Sequence, residues 1–125
     1  MEVKIDTREK FHAITIQEAS LAANMTEDLD NCLLPVLQSG VKNVVLSLRD
    51  IQTVDNAAAE RLVQLQQLFY ENNASFVICE LQEQVEATFE KEHLLELINV
   101  TFTESEAWDI VQMEEIEREL MDGEF

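Results

Sequence analysis

Residues 43–66 have the sequence NVVLSLRDIQTVDNAAAERLVQLQ, and this stretch contains the clearest structural signal in the chain. Its first part, from Asn43 to Leu48, is a short apolar run that begins with a polar residue. Runs of this kind are typical of strands that are buried on both faces beneath helices. We therefore predict a central strand at this position.

The second part of the same stretch has helical periodicity. Its apolar residues are spaced four, three and four positions apart, which places them on one helical face: Ala58, Leu62, Leu65 and Phe69. Asp55 or Asn56 is in position to cap the amino end, and the pair 72–73 (Asn-Asn) is suited to end the helix. The pattern predicts a helix over residues 57–70.

Upstream of this stretch, the sequence predicts a hairpin and a first long helix. Residues 3–7 alternate between apolar or β-branched and charged side chains, and residues 11–16 form a short, partly β-branched apolar run. A helical stripe follows at Met25, Leu29, Cys32, Leu33, Val36 and Leu37. Asn24 and Glu27 are spaced as a capping box. Pro35 lies inside the stripe and lacks a backbone donor, so we expect a kink or an early break there.

Downstream, the alternation of strands and helices continues. Residues 74–79 predict another buried strand, and a short helix is expected to start around Gln82. Residues 97–102 can supply a last short strand. Residues 103–106 (Thr-Glu-Ser-Glu) have the spacing of a capping box ahead of a final helix. The apolar positions expected on that helix are Ala107, Val111 and Leu120.

This order of elements predicts an α/β fold. A chain of 125 residues with 46% hydrophobic content has the size of one domain with its own core. We expect a mixed, mostly parallel sheet of about four to five strands, flanked by about four helices. The domain is predicted over residues 1–112, followed by an acidic carboxyl-terminal helix extension or tail over residues 113–125.

The charge of the chain limits the classes of partner. The formal net charge is −18, from 26 acidic and 8 basic residues. Phosphate contacts would have to overcome repulsion from the whole protein, so binding to nucleic acid is not expected. A basic protein partner suits this charge better, although the same charge could simply keep the protein soluble.

The sequence favours a cytoplasmic protein with reduced thiols. Residues 1–6 lack the basic flank and apolar stretch of a secretory signal, and no run approaches the ~20 apolar residues that would insert in a bilayer. The two cysteines, Cys32 and Cys79, lie inside apolar patterns. In a reducing compartment they are expected to be buried thiols without a disulfide.

No motif for catalysis or metal binding stands out. His12 and His93 are the only histidines, and neither has a companion nucleophile or ligand pattern, so structural roles are favoured for both. No metal, cofactor or catalytic residue is therefore predicted, and the chain is not expected to be an enzyme. One alternative is a phospho-acceptor role for Asp55, as in response-regulator receivers, but the acidic pair and the lysine that receivers require are missing.

Residues 44–62 resemble the signature region of STAS domains, the family of anti-sigma factor antagonists. That signature is a buried strand, a short loop and then an aspartate-serine pair that opens a helix, and Asp55 stands at the aspartate position. The likeness extends to a helix that ends at residues 37–40, to the strand 76–79 and to the helix opened by residues 103–107. It covers roughly residues 3–112. The resemblance implies a non-enzymatic regulatory domain that docks a kinase-type anti-sigma factor or a related switch protein.

The resemblance also implies a phosphorylation switch that this sequence has lost. In the family, the serine after the aspartate is phosphorylated by the partner kinase, and phosphorylation blocks docking. Asn56 occupies this position, and an asparagine has no hydroxyl to accept a phosphoryl group. Ala57 and Ala58 replace the serine and glycine that follow in the family. The hydroxyl of Ser47 is expected to be buried and hydrogen-bonded, which leaves Thr53 as the alternative acceptor.

The residues expected to dock a partner are Thr53, Asp55, Asn56, Ala57, Ala58, Glu60 and Arg61. A second hypothesis is an accessory structural subunit bound to a transporter ATPase, because some STAS-like domains serve this role without a phosphorylation site. The sequence leaves homodimer formation open under either hypothesis.

Overall fold

The computed structural model describes residues 1–123. Their strands are β1 (Val3–Thr7), β2 (His12–Ile16), β3 (Ser20–Leu21), β4 (Val44–Ser47), β5 (Thr53–Val54), β6 (Phe76–Cys79) and β7 (Val100–Thr101). Their α-helices are α1 (Thr26–Leu33), α2 (Asn56–Glu71), α3 (Glu83–Lys91) and α4 (Glu104–Gly123). Short 3₁₀ turns cover Ala23–Met25, Leu34–Gln38 and Leu95–Leu97.

Five of these strands form one mixed sheet with the order β1-β2-β4-β6-β7. β1 and β2 pair as an antiparallel hairpin, with Val3 opposite Ile16. The three other neighbouring pairs are parallel. β4 is the middle strand, and all four of its residues are buried. The predicted fold class and the central strand are thus confirmed, and residues 44–46 of β4 are apolar on both faces because helices cover both sides of the sheet.

Side chains that alternate along the central strands divide the core into two layers. Leu46 of β4 and Ile78 of β6 belong to a large cluster that includes buried residues of α1, α2 and α3. Val45 and Val77 point the other way, into a small cluster with α4. We call these sides the three-helix face and the single-helix face.

The first helical stripe breaks at the predicted place. α1 ends at Leu33, and residues 34–38 continue as a 3₁₀ turn with Pro35 in its first turn. Proline is tolerated there because the first turn needs no backbone donor. The predicted capping box of Asn24 and Glu27 is wrong, since no side chain caps α1. The reason is that the chain enters α1 directly from the preceding 3₁₀ turn rather than from an extended residue.

The last helix starts as predicted, but Leu120 lies on the side of the helix opposite to Ala107 and Val111. The Thr103 hydroxyl accepts a hydrogen bond from the Glu106 backbone N–H at 3.1 Å, as expected for a cap. Ala107 and Val111 are fully buried, whereas Leu120 is 66% exposed. Leu120 lies nine residues after Val111, which is about two and a half helical turns, so the two side chains point in opposite directions.

α4 continues past residue 112 without interruption and ends at Gly123. The domain boundary at residue 112 stays a prediction. The last two residues of the predicted 113–125 extension lie outside the described residues.

A buried asparagine fixes α4 against the sheet. Asn43, only 4% exposed, precedes β4. Its amide nitrogen donates to the Lys10 carbonyl at 2.9 Å and to a Glu115 carboxylate oxygen at 2.6 Å. Its amide oxygen accepts from the Ser75 backbone N–H at 2.8 Å. Arg118 donates to the Ser75 hydroxyl at 3.1 Å, so this side of α4 is turned toward the sheet.

Candidate docking site at the amino end of helix α2

A two-stranded parallel pair, which the sequence did not predict, holds the segment that leads into α2. Ser20 pairs with Thr53, and Leu21 pairs with Val54. Leu21 and Val54 are buried, whereas Thr53 is exposed. Thr53 therefore lies in an exposed strand position and not in a loop like the one in the family signature. Strands of two residues are too short to produce a readable periodicity.

Asp55 precedes α2 but does not cap it with its side chain. Its backbone has the extended conformation of an N-cap residue, yet no side chain caps the helix. The carboxylate instead accepts a hydrogen bond from the Ala23 backbone N–H at 3.0 Å. Asp55 thereby ties the entry to α1 to the entry to α2. The first backbone N–H groups of α2 are left without a side-chain acceptor at the positive end of the helix dipole.

Asn56 occupies the first position of α2 and is exposed. Its amide nitrogen donates to a carboxylate oxygen of Glu92 at 2.8 Å, which links α2 to the end of α3. The interpretation of Asn56 as the helix cap is therefore wrong, because a residue inside the helix does not have the extended backbone of an N-cap.

The remaining predicted docking residues differ in accessibility. Ala57 and Glu60 are exposed, as Thr53, Asp55 and Asn56 are. These five residues form what we call the α2 amino-end site. Ala58 is fully buried, and its prediction as a contact residue is wrong because it lies on the core-facing side of α2.

Arg61 is half-buried and already engaged within the domain. Its guanidinium donates to Asp30 of α1 at 2.7 Å and to Gln64 at 2.9 Å. The basic group nearest in sequence to the α2 amino-end site is therefore paired. Asp55 and Glu60 give the exposed surface an acidic character, which suits a partner that presents positive charge or hydrogen-bond donors.

Two of the side chains expected to be structural, His12 and Ser47, have structural contacts. His12 is hydrogen-bonded through Nδ1 to the Thr7 hydroxyl at 3.0 Å, and its Nε2 donates to the Val41 carbonyl at 2.9 Å. The Ser47 hydroxyl is buried and donates to Glu80 at 3.2 Å, as expected. Among residues 1–123, no three histidine, cysteine, aspartate or glutamate side chains are grouped as a metal site.

The two thiols are free in the structure. Burial, together with the nearby carboxylates of Glu80 and Glu104, raises the pKa of Cys79 from 9.0 to about 12. Burial also raises the pKa of Cys32. Since the thiolate is the reactive form, neither cysteine is activated as a nucleophile.

A family model for the STAS domain matches residues 2–107. The chain belongs to the STAS domain family. The matched range includes the whole sheet and helices α1, α2 and α3, and it ends in the first turn of α4. A comparison with curated proteins found no match.

Solved structures share the fold of this STAS domain. A putative anti-sigma factor antagonist from Thermotoga maritima superposes with a TM-score of 0.75 at 16% identity, over 88% of this chain and 94% of the other. An anti-sigma factor antagonist from Mycobacterium paratuberculosis gives a TM-score of 0.77 at 9% identity, over 89% and 93%. The murine anion transporter Solute Carrier 26 family member A9 gives 0.65 at 13% identity, over 82% of this chain and 18% of the transporter.

Of the helices in the described part of this STAS domain, none is both long enough and apolar enough to cross a membrane.

Proposed function

We propose that this STAS domain is a regulatory protein-interaction module that docks onto a kinase-type anti-sigma factor or a related switch protein. The contact surface is the α2 amino-end site. The observation that supports this proposal is the exposed, uncapped start of α2 at the position of the family signature. Backbone N–H groups at a helix start can donate hydrogen bonds to partner carboxylates or carbonyls, and the carboxylates of Asp55 and Glu60 can accept hydrogen bonds from basic groups.

We further propose that docking is not controlled by phosphorylation at Asn56. The amide side chain cannot accept a phosphoryl group, and it already donates to Glu92. A phosphoryl group at this position would add about −1.5 to −2 charges beside Asp55 and Glu60, and would compete with partner carboxylates or carbonyls for the free backbone N–H groups at the start of α2. Without that modification, docking is constitutive or is regulated elsewhere.

Affinity capture from the source cells tests the docking surface. The tagged wild type is compared with Ala57→Arg, which places a bulky charged side chain in the α2 amino-end site. Ala87→Arg is the matched control, since it makes the same change at an exposed position of α3. We expect wild type and Ala87→Arg to recover a protein with an ATP-binding kinase domain, and Ala57→Arg to lose it. Recovery of no regulatory protein, or equal recovery by Ala57→Arg, would contradict the proposal.

Intact-mass measurement with the recovered kinase and ATP tests the absence of the switch. We expect the wild type to keep its mass and Asn56→Ser to gain one phosphoryl group. A phosphoryl group on the wild type that disappears in Thr53→Ala would identify Thr53 as the acceptor. That result would overturn the proposal of constitutive docking.

A second candidate function is an accessory role on a transporter. The match to the murine anion transporter, of which this fold covers 18%, favours it because a STAS-like fold is there part of a much longer transport protein. Recovery of a membrane transporter or its ATPase instead of a kinase in the same capture experiment would support this role.

A further inference from the structure

The outer side of α4 has an apolar stripe with no partner among the described residues. Met113, Ile116 and Leu120 are 60%, 56% and 66% exposed. Isolated apolar residues on a surface need no explanation, but contiguous ones often mark an interaction surface. Here the three residues are spaced three and four positions apart, so they form one stripe along the helix.

The stripe is opposite to the side that packs on the sheet. Ala107 and Val111 are fully buried against the single-helix face. Arg118 bonds to Ser75, and Glu115 bonds to Asn43. These contacts fix the rotation of α4 about its axis, so the stripe cannot turn inward without breaking them.

The stripe and its charged neighbours match one heptad of a coiled-coil pattern. Met113 and Leu120 take two successive a positions, and Ile116 takes the d position between them. Glu117 and Glu119 then fall at e and g, the positions that select the partner of a coiled coil by charge. Both are exposed glutamates.

No basic residue on the outer side of α4 compensates for this charge within the described part of the helix. α4 contains eight acidic residues and one arginine, a net charge of −7. That arginine, Arg118, is turned inward and bonds to Ser75. A second copy of the chain would bring glutamates against glutamates, and like charges at these positions are unfavourable. The stripe is therefore suited to a partner of opposite charge.

We propose that the outer side of α4 is a second docking surface, which binds a basic amphipathic helix of a partner protein. The partner helix presents an apolar seam to Met113, Ile116 and Leu120, and lysine or arginine at its own e and g positions to Glu117 and Glu119. The interaction resembles one side of a short two-stranded coiled coil. It lies on the sheet face opposite to α2 and does not depend on the proposed function of the α2 amino-end site.

Designed helical peptides test this surface on the full chain. The first peptide has about three heptads, with leucine at a and d and lysine at e and g. A second replaces these lysines by glutamate, and a third scrambles the first so that charge and composition are kept without the seam. Fluorescence anisotropy measures binding of each labelled peptide at physiological ionic strength. We expect the first peptide to bind at least tenfold more tightly than either of the others. Equal binding of the scrambled peptide would overturn the proposal, because it would show attraction to the net charge alone.

Two variants separate the contribution of the apolar stripe to binding from that of the charged residues beside it. Ile116→Glu should weaken binding of the lysine peptide at least tenfold, whereas Ile5→Glu, at an exposed isoleucine of β1, should leave it unchanged. The double variant Glu117→Lys with Glu119→Lys should exchange the preference, so that the glutamate peptide binds more tightly than the lysine peptide. An unchanged preference in the double variant would contradict the proposal. So would a wild-type dimer that Ile116→Glu dissociates in sedimentation measurements.

Discussion

The two faces of the sheet are built differently, although they share the same strands. The three-helix face buries a cluster that includes Phe69, Phe76 and Phe89. The single-helix face buries a small cluster of Phe11, Val45, Val77, Cys79, Ala107 and Val111. Apolar packing therefore dominates on the first side. On the second side, polar contacts of Asn43 and Arg118 supplement a thin apolar layer. The difference indicates that α4 is held in a defined orientation by few interactions.

Truncation of the largest core side chains should give the largest loss of stability. Phe69 is fully buried and packs edge-on against Phe76, with ring centroids 5.1 Å apart. Phe69→Ala should lower the free energy of unfolding by about 3–5 kcal/mol, because it removes an aromatic side chain and leaves a cavity. Val111→Ala on the single-helix face should cost about 2 kcal/mol, since it removes two methyl groups. Urea denaturation measures both.

Phe102→Ala is the control for the aromatic substitution, since Phe102 is 82% exposed. It should change the free energy of unfolding by less than about 0.5 kcal/mol. Equal losses from Phe69→Ala and Val111→Ala would contradict the proposed difference between the two faces.

Removal of the buried asparagine should weaken the attachment of α4. Asn43→Ala leaves the backbone N–H of the fully buried Ser75 without its acceptor and removes the contact to Glu115. An unsatisfied buried donor costs about 1–3 kcal/mol. We expect a loss of this size in denaturant unfolding, together with faster amide exchange of Ser75. Asn24→Ala, at an exposed asparagine, is the matched control and should have little effect.

Cys79, which lies beneath α4, should make the domain less stable as the pH rises above about 9. Burial and the carboxylates of Glu80 and Glu104 raise the pKa of Cys79 to about 12, so the folded chain keeps the neutral thiol while the unfolded chain ionises near pH 9. This contribution is fully present below pH 9 and is lost as pH rises toward 12. The expected slope is about 1.4 kcal/mol per pH unit. Unfolding measurements between pH 8 and about 10.5 should show a shallower slope for Cys79→Ala than for the wild type; identical slopes would contradict the assignment.

Loss of the Asn56 side chain should have the smallest effect on stability. Asn56→Ala removes one exposed hydrogen bond to Glu92, and exposed contacts of this kind contribute about 0.5 kcal/mol or less. Thermal unfolding should therefore differ little from the wild type. A loss as large as that of Asn43→Ala would show that Asn56 is required for the fold rather than available for partner contacts.

Much of the fold was predictable because the patterns involved are long or strongly apolar. The central strand β4, the start of α3 and the periodic stripe of α2 follow directly from hydrophobic spacing. The break at Pro35 follows from the missing backbone donor. In each of these cases, a local property of the sequence agrees with the tertiary environment.

The details of the candidate site were harder to predict because they depend on contacts between distant segments. Asp55 was one of two residues in position to cap α2, but its carboxylate bonds to the Ala23 backbone N–H, which is 32 positions earlier in the sequence. Asn56 bonds to Glu92, 36 positions later. Capping rules describe neighbours in sequence and contain no information on such partners. The orientation of Leu120, in contrast, could have been obtained from the sequence, since its distance from Val111 defines the helical angle between them.

The edges of the sheet bear on how the protein behaves at high concentration. β1, at one edge, is largely exposed and includes Lys4 and Asp6, and β7, at the other, is only two residues long. Charged and very short edge strands offer a poor template for an additional strand from another molecule. The domain can therefore expose an apolar helical surface for recognition while its sheet resists polymerisation and aggregation.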